Sequence, residues 1–347
     1  MASDPLRTPL CDRLGIDVPI LLAGMGGIAL SELAAAVCEA KGLGFIGGVG
    51  LSKDKLSREI ERAKGLTNRP FGVDLFVPKP ASEEEVQRAI GPLLAEMPEQ
   101  LAGTLDGFLN VREMVEMVID SGVSYFASAL GNPGWMVGQA HDAGMTVLAL
   151  VGTVRHAVAS AEAGVDILIA QGYDAGGHTG RVGTFSLVPQ IVDAVEVPVV
   201  AAGGIVDGRG VAAALALGAQ GVWMGTRFVA TREARAADAY KQRIVEIGDE
   251  DTTITRSYTG KTARMIKNKW TAEWEGREDE IKPFPLQILT TNVALKDKSP
   301  DDIDWMPMAA GQASGLVHDL PSAGEVLQTV ADEAREVLAR MGGAGAG

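Results

Sequence analysis

Residues 197–227 read VPVVAAGGIVDGRGVAAALALGAQGVWMGTR. An apolar, β-branched run, Val197–Ala202, stops at Gly203-Gly204. A helix-patterned stretch around Gly210–Ala216 follows, and then a second apolar run, Gly221–Met224, stops at Gly225-Thr226. Runs that are apolar on both faces belong to strands covered on both sides, as in a parallel sheet under helices. The segment therefore reads as strand, turn, helix, strand, turn. Glycines occupy both turns, where the chain must bend tightly or let its backbone approach a ligand.

The same rhythm runs back toward the N-terminus. Apolar runs at Pro19–Ala23, Gly44–Ile46, Phe71–Leu75, Val123–Ser128, Thr146–Val151 and Asp166–Ala170 alternate with amphipathic stretches such as Glu32–Cys38. With the two runs above they number eight, which predicts an α/β chain folded as a closed (β/α)8 TIM barrel. The first run ends in Ala23-Gly24-Met25-Gly26-Gly27, which does not match the GxGxxG turn of an open dinucleotide-binding sheet. On this reading residues 1–233 form the barrel. Residues 234–321, with Trp270 and Trp274, form a small helical appendage without strands that covers the barrel mouth. Residues 322–347 supply a last helix, Ser322–Met341, and a disordered Gly/Ala tail.

Composition narrows the partners. The 347 residues are 46% hydrophobic and 22% charged, with 31 Lys+Arg against 45 Asp+Glu and a net charge of -14. So acidic a surface is repelled by nucleic acid and by anionic membranes. Cys11 and Cys38 are the only cysteines and cannot make a disulfide framework. No apolar stretch has the length of a membrane span, and Met1–Pro9 lacks the pattern of a signal peptide. A cytoplasmic protein is expected. No histidine–carboxylate spacing suits a metal.

Barrel active sites lie at the C-terminal ends of the strands, and phosphate often binds between the loops after strands seven and eight. Here those loops are the glycine turns Gly203-Gly204 and Gly225-Thr226, with the following helix N-terminus as a further attraction for an anion. The loop after strand six, Gln171–Gly180, holds His178, one of 4 histidines. At a barrel mouth a histidine acts as base, acid or hydrogen-bond donor. His141, His156 and His318 lie in or at the ends of helical patterns, and no role is expected of them.

The order Ala23-Gly24-Met25, Phe71–Leu75, Asp174–His178, Ala202–Ile205 and Gly225–Phe228, with Thr262-Ala263-Arg264 and Ala310–Leu316 later, resembles the nitronate monooxygenase family over essentially the whole chain. The resemblance implies an FMN held by Gly24, Met25, Gln171, Gly176, Gly177, Gly203, Gly204, Gly225 and Thr226. It implies that Gln312 approaches the flavin from the appendage and that His178 is catalytic. Asp74 stands where many relatives have asparagine; as a carboxylate it accepts hydrogen bonds but cannot donate them. The implied reaction oxidises an alkyl nitronate, a small molecule, with O2 to a carbonyl compound and nitrite. The alternative is a flavin reductase that uses NAD(P)H on quinones or enoyl thioesters. The electron donor, the physiological substrate and the oligomeric state stay open. A barrel of the IMP dehydrogenase type would need a cysteine after strand six, and none is there. A flavin carrier without turnover would have no use for His178.

Overall fold

The computed structural model describes residues 4–77, 110–299 and 301–343. Eight parallel strands follow the expected rhythm: β1 Ile20–Leu22, β2 Phe45–Gly47, β3 Gly72–Phe76, β4 Tyr125–Ala129, β5 Thr146–Val151, β6 Ile167–Gln171, β8 Val199–Ala202 and β9 Gly221–Met224. They are hydrogen-bonded in the order β1-β9-β8-β6-β5-β4-β3-β2. Leu22 N–H donates to the Leu43 carbonyl and Leu43 N–H to that of Ile20, which joins the two ends into a barrel. Helices intervene between successive strands, so both faces of each strand are covered. The fold is the (β/α)8 TIM barrel.

Alternation along the strands sorts the side chains. Val73, Phe126, Val147, Leu168, Ala201 and Val222 face the helices. Phe45, Tyr125, Leu148, Ile169, Val200 and Trp223 fill the interior together with Leu10, Cys11 and Leu14 of helix Pro9–Leu14, which plugs the N-terminal end. The Tyr125 hydroxyl donates to the Leu14 carbonyl at 2.7 Å and ties that plug to the wall. Phe45 and Trp223 meet at 4.7 Å between ring centroids, an aromatic contact worth about 0.5–1.5 kcal/mol beyond its buried area. The interior is therefore packed at the bottom and open only at the C-terminal ends of the strands.

The segment after the barrel and the last helix refine the sequence reading. The segment after residue 234 is not purely helical: β10 Thr252–Thr255 and β11 Ala263–Ile266 pair antiparallel, and β11 pairs in turn with β7, Gly177–His178. β-branched residues at Thr252, Thr253, Ile254 and Thr255 favour this pairing, and the Gly260 turn, at φ 82, permits it. Trp270 and Trp274 are core residues of this segment: they pack with Tyr258 and Met265 in a small core of their own. The last helix runs to Gly343, and the remainder of the tail expected to be disordered lies outside the described residues.

Candidate active site

A cavity of about 850 Å³ opens at the C-terminal ends of the strands. Gly24, Met25, Asp74, Gln171, Gly176, Gly177, His178, Gly203, Gly204, Gly225 and Thr226 all line it, although they come from five separate strands and the loops that follow them. Its lower boundary is Trp223, and residues of the later segment (Tyr240, Lys261, Ala309, Gly311 and Ser314) close one side.

Gln312 is the exception among the expected residues. Its N–H is fixed by the Asp174 carbonyl at 3.0 Å, and its side chain is exposed and does not line the cavity. Gly311, Ala313 and Ser314 line it instead. The tight 3-10 turn Gln312–Leu316 carries neighbouring residues to different sides, which sets the Gln312 side chain apart from the other expected residues.

The glycine turn after β8 has an exposed donor face. Gly203 and Gly204 adopt φ 104 and φ 73, the region that L side chains rarely enter. Their N–H groups make no hydrogen bond among the described residues. A Cβ on Gly203 would also lie 2.7 Å from Thr184 Oγ1. The next helix, Gly208–Ala216, is already capped: Asp207 Oδ1 accepts from Gly210 N–H at 3.1 Å. Its N-terminal donors are thus partly taken, by Asp207 and by Glu333, whereas those of the turn itself are free among the described residues.

The loop after β6 is held on three sides. The Asp174 carboxylate accepts from Thr184 N–H at 2.7 Å. Buried Arg264 donates from Nε and Nη2 to the Tyr173 carbonyl and stacks 4.6 Å from the Tyr173 ring centroid. Gly176 lies so close to the later segment that a Cβ would be 2.7 Å from the Ala310 carbonyl carbon. The same loop thereby presents His178 on β7, opposite Ala263 of β11, with Gln171 Nε2 donating to the His178 carbonyl at 3.1 Å.

The His178 ring lies between the edges of Phe76 and Phe284, at 5.8 and 6.3 Å between centroids. Burial, helped by the nearby positive charge of Lys261, pushes its pKa down to about 4, so the imidazole is neutral at pH 7. Nε2 is 3.0 Å from Thr259 Oγ1, which is itself 3.2 Å from the Lys261 carbonyl. A hydroxyl has one proton, and a carbonyl can only accept. Thr259 therefore donates to Lys261 and receives Nε2–H, which leaves Nδ1 with a free lone pair.

Lys261 was missed in the sequence because a lone lysine in a loop looks like any solvated charge. Its position beside the Thr262-Ala263-Arg264 motif was the available signal. Among the described lining residues it is the one Lys or Arg, and Asp74 is the one carboxyl group. His156, of which no role was expected, borders the outer reach of the cavity but is exposed, with Arg155 Nη2 3.3 Å from its Nε2. His141 instead pairs with Asp166 at 2.8 Å, and His318 is exposed and outside the cavity. No helix among the described residues is long and apolar enough to cross a membrane.

Known proteins with this arrangement are informative. The nitronate monooxygenase family model matches residues 7–333. A probable nitronate monooxygenase of Staphylococcus haemolyticus is 38% identical over 329 residues, which cover 88% of this chain and 91% of that protein. One from Staphylococcus saprophyticus is 34% identical over 354 residues, with 96% and 99% covered. Among solved structures, FabK from Thermotoga maritima superposes with a TM-score of 0.83 at 32% identity, covering 97% of this chain and 99% of that one. Nitroalkane oxidase from Streptomyces ansochromogenes gives 0.81 at 32% identity, with 96% and 99% covered. With a matching family model across nearly its whole length and the barrel, cavity and glycine turns in place, the chain belongs to the nitronate monooxygenase family of oxidoreductases.

Proposed function

We propose that this protein is an FMN-dependent nitronate monooxygenase that oxidises alkyl nitronates with O2 to a carbonyl compound and nitrite. One observation carries the reading: a single cavity joins unpaired glycine N–H groups on one side to neutral His178 and cationic Lys261 on the other. The first feature suits a phosphate, and the second suits a compact anionic substrate.

The residues fit the cofactor. The unpaired N–H groups of half-buried Gly203 and of exposed Gly204 border the cavity, and the buried, unpartnered Asp74 Oδ1 needs a hydrogen-bond partner. Gly203, Gly204, Gly225 and Thr226 would hold the phosphate, while Gly24, Met25, Asp74, Gln171, Gly176 and Gly177 would border the ring system. FMN bound there supplies the acceptor for the electrons of the nitronate. His178 supplies a hydrogen-bonding group on a strand anchored at both ends, and Lys261 supplies the charge that draws in the anion. A histidine with a pKa of about 4 is a weak base, so preformed nitronates, which need no deprotonation, are favoured over neutral nitroalkanes.

A second reading, an NAD(P)H-dependent flavin reductase of quinones or enoyl thioesters, is favoured by cavity size. Beyond the residues proposed to hold FMN the cavity reaches as far out as Asn132 and His156, farther than a compact anion needs. Nitrite release from propyl-2-nitronate by the purified protein, with matching O2 consumption and FMN identified by mass spectrometry of the released cofactor, tests the first reading. FAD, or no flavin after reconstitution, would sink it.

A further inference from the structure

Asp74 lies in the middle of β3 with its side chain turned into the barrel, where it borders the cavity beside Phe76. It is 3% exposed, and Oδ1 has no hydrogen-bond partner among the described residues. Gly24 packs against it so tightly that a Cβ there would fall 2.2 Å from Asp74 Cβ and 2.3 Å from Oδ2. The carboxyl group therefore cannot swing toward β1 to find another partner. The other titratable side chains around the cavity are His156, His178, Tyr240 and Lys261, and none of them hydrogen-bonds or pairs with it.

An ionised carboxylate with neither water nor a partner is among the costliest arrangements in a protein, and such a group takes up a proton instead. Burial accordingly pushes the Asp74 carboxyl well above the usual carboxylate range. The acid so formed has an O–H that finds no acceptor among the described residues, so a group held in the cavity can take it. The carbonyl oxygens and unprotonated ring nitrogens of an oxidised flavin are acceptors of the required kind.

We infer that Asp74 is a neutral carboxylic acid that donates its O–H to the flavin in this cavity, supplying a donor where an ionised aspartate would supply only an acceptor and a charge. The inference rests on the flavin reading above and replaces the accepting role expected of this residue. Its consequence is electrostatic. Among the described residues no negative side chain then faces the cofactor or the substrate, and none of them opposes the pull of Lys261 on an incoming anion.

Two measurements together test it: infrared difference spectra of the protein with and without FMN, and FMN affinity from flavin fluorescence quenching across pH. The expected spectrum of the parent has a carboxylic-acid carbonyl band, absent from Asp74→Asn, that shifts when FMN binds. At neutral pH, Asp74→Asn should hold FMN within about threefold of the parent, because its amide keeps the donor, whereas Asp74→Ala should weaken binding about tenfold. Because FMN binds the protonated form, parent affinity should fall as rising pH ionises Asp74, and Asp74→Asn should not share that fall. FMN held tightly with Asp74 ionised, or an Asp74→Asn variant as weak as Asp74→Ala, overturns the inference alone. A folded protein that has the acid band but binds no FMN overturns the flavin reading and the donation with it.

Discussion

Protonation of His178 should be expensive for this fold, and the expense can be measured. The depression of its pKa from 6.5 to about 4 corresponds to a penalty of about 3 kcal/mol on the imidazolium. The sign follows from linkage: between those two values the unfolded chain binds the proton and the folded one does not, so stability falls as pH drops from 6.5 toward 4. His178→Asn, which has no proton to take up, should lack that share of the acid-side loss. Urea unfolding of parent and variant at pH 7 and pH 4.5 would expose a gap that widens by about 2–3 kcal/mol at the lower pH. Carbon-labelled histidine NMR gives the direct reading, since only 4 histidines must be assigned. For the same reason, nitronate turnover should show no His178 inflection near pH 6.5. A His178 resonance that titrates near 6.5, with parallel acid denaturation of parent and variant, would refute the reasoning.

Other substitutions probe the rest of the site. Gly24→Ala drives a methyl into Asp74 and should cost about 1–3 kcal/mol in denaturant unfolding, along with most FMN binding. Gly203→Ala combines positive φ with a 2.7 Å collision against Thr184, so the released-flavin content of purified protein should drop while Gly208→Ala, which clashes with the last helix at Ala334, should lower stability first. Thr259→Val removes the acceptor of His178 Nε2–H and should lower kcat on nitronates, with Thr259→Ser restoring most of it; equal loss in both variants would argue against the tautomer assigned to His178. Lys261→Met should raise KM for nitronates and weaken its dependence on ionic strength, which steady-state nitrite assays at several salt concentrations would read.

The barrel was legible because its signals are local. Each strand is a short run apolar on both faces, and the turns at the cavity carry glycines such as Gly203 and Gly204 whose φ values admit little else. His178 was legible because it sits in a long, glycine-rich loop after β6. What escaped depends on contacts distant in the chain. β11 finds its partner β7 some eighty residues earlier, and only that pairing sets Thr259 and Lys261 beside His178. Asp74 could be located from its motif, but its protonation depends on the burial and packing that Gly24 enforces. That the Gln312 side chain points away from the cavity follows from the local pitch of a 3-10 turn, which the sequence does not display.

Anaerobic stopped-flow reduction of the bound flavin, followed by its absorbance, tests the central claim most directly. Propyl-2-nitronate should bleach the flavin rapidly, and NADH and NADPH should do so only slowly. Rapid bleaching by NADH or NADPH with no response to any nitronate would contradict the account and assign this cavity to a flavin reductase.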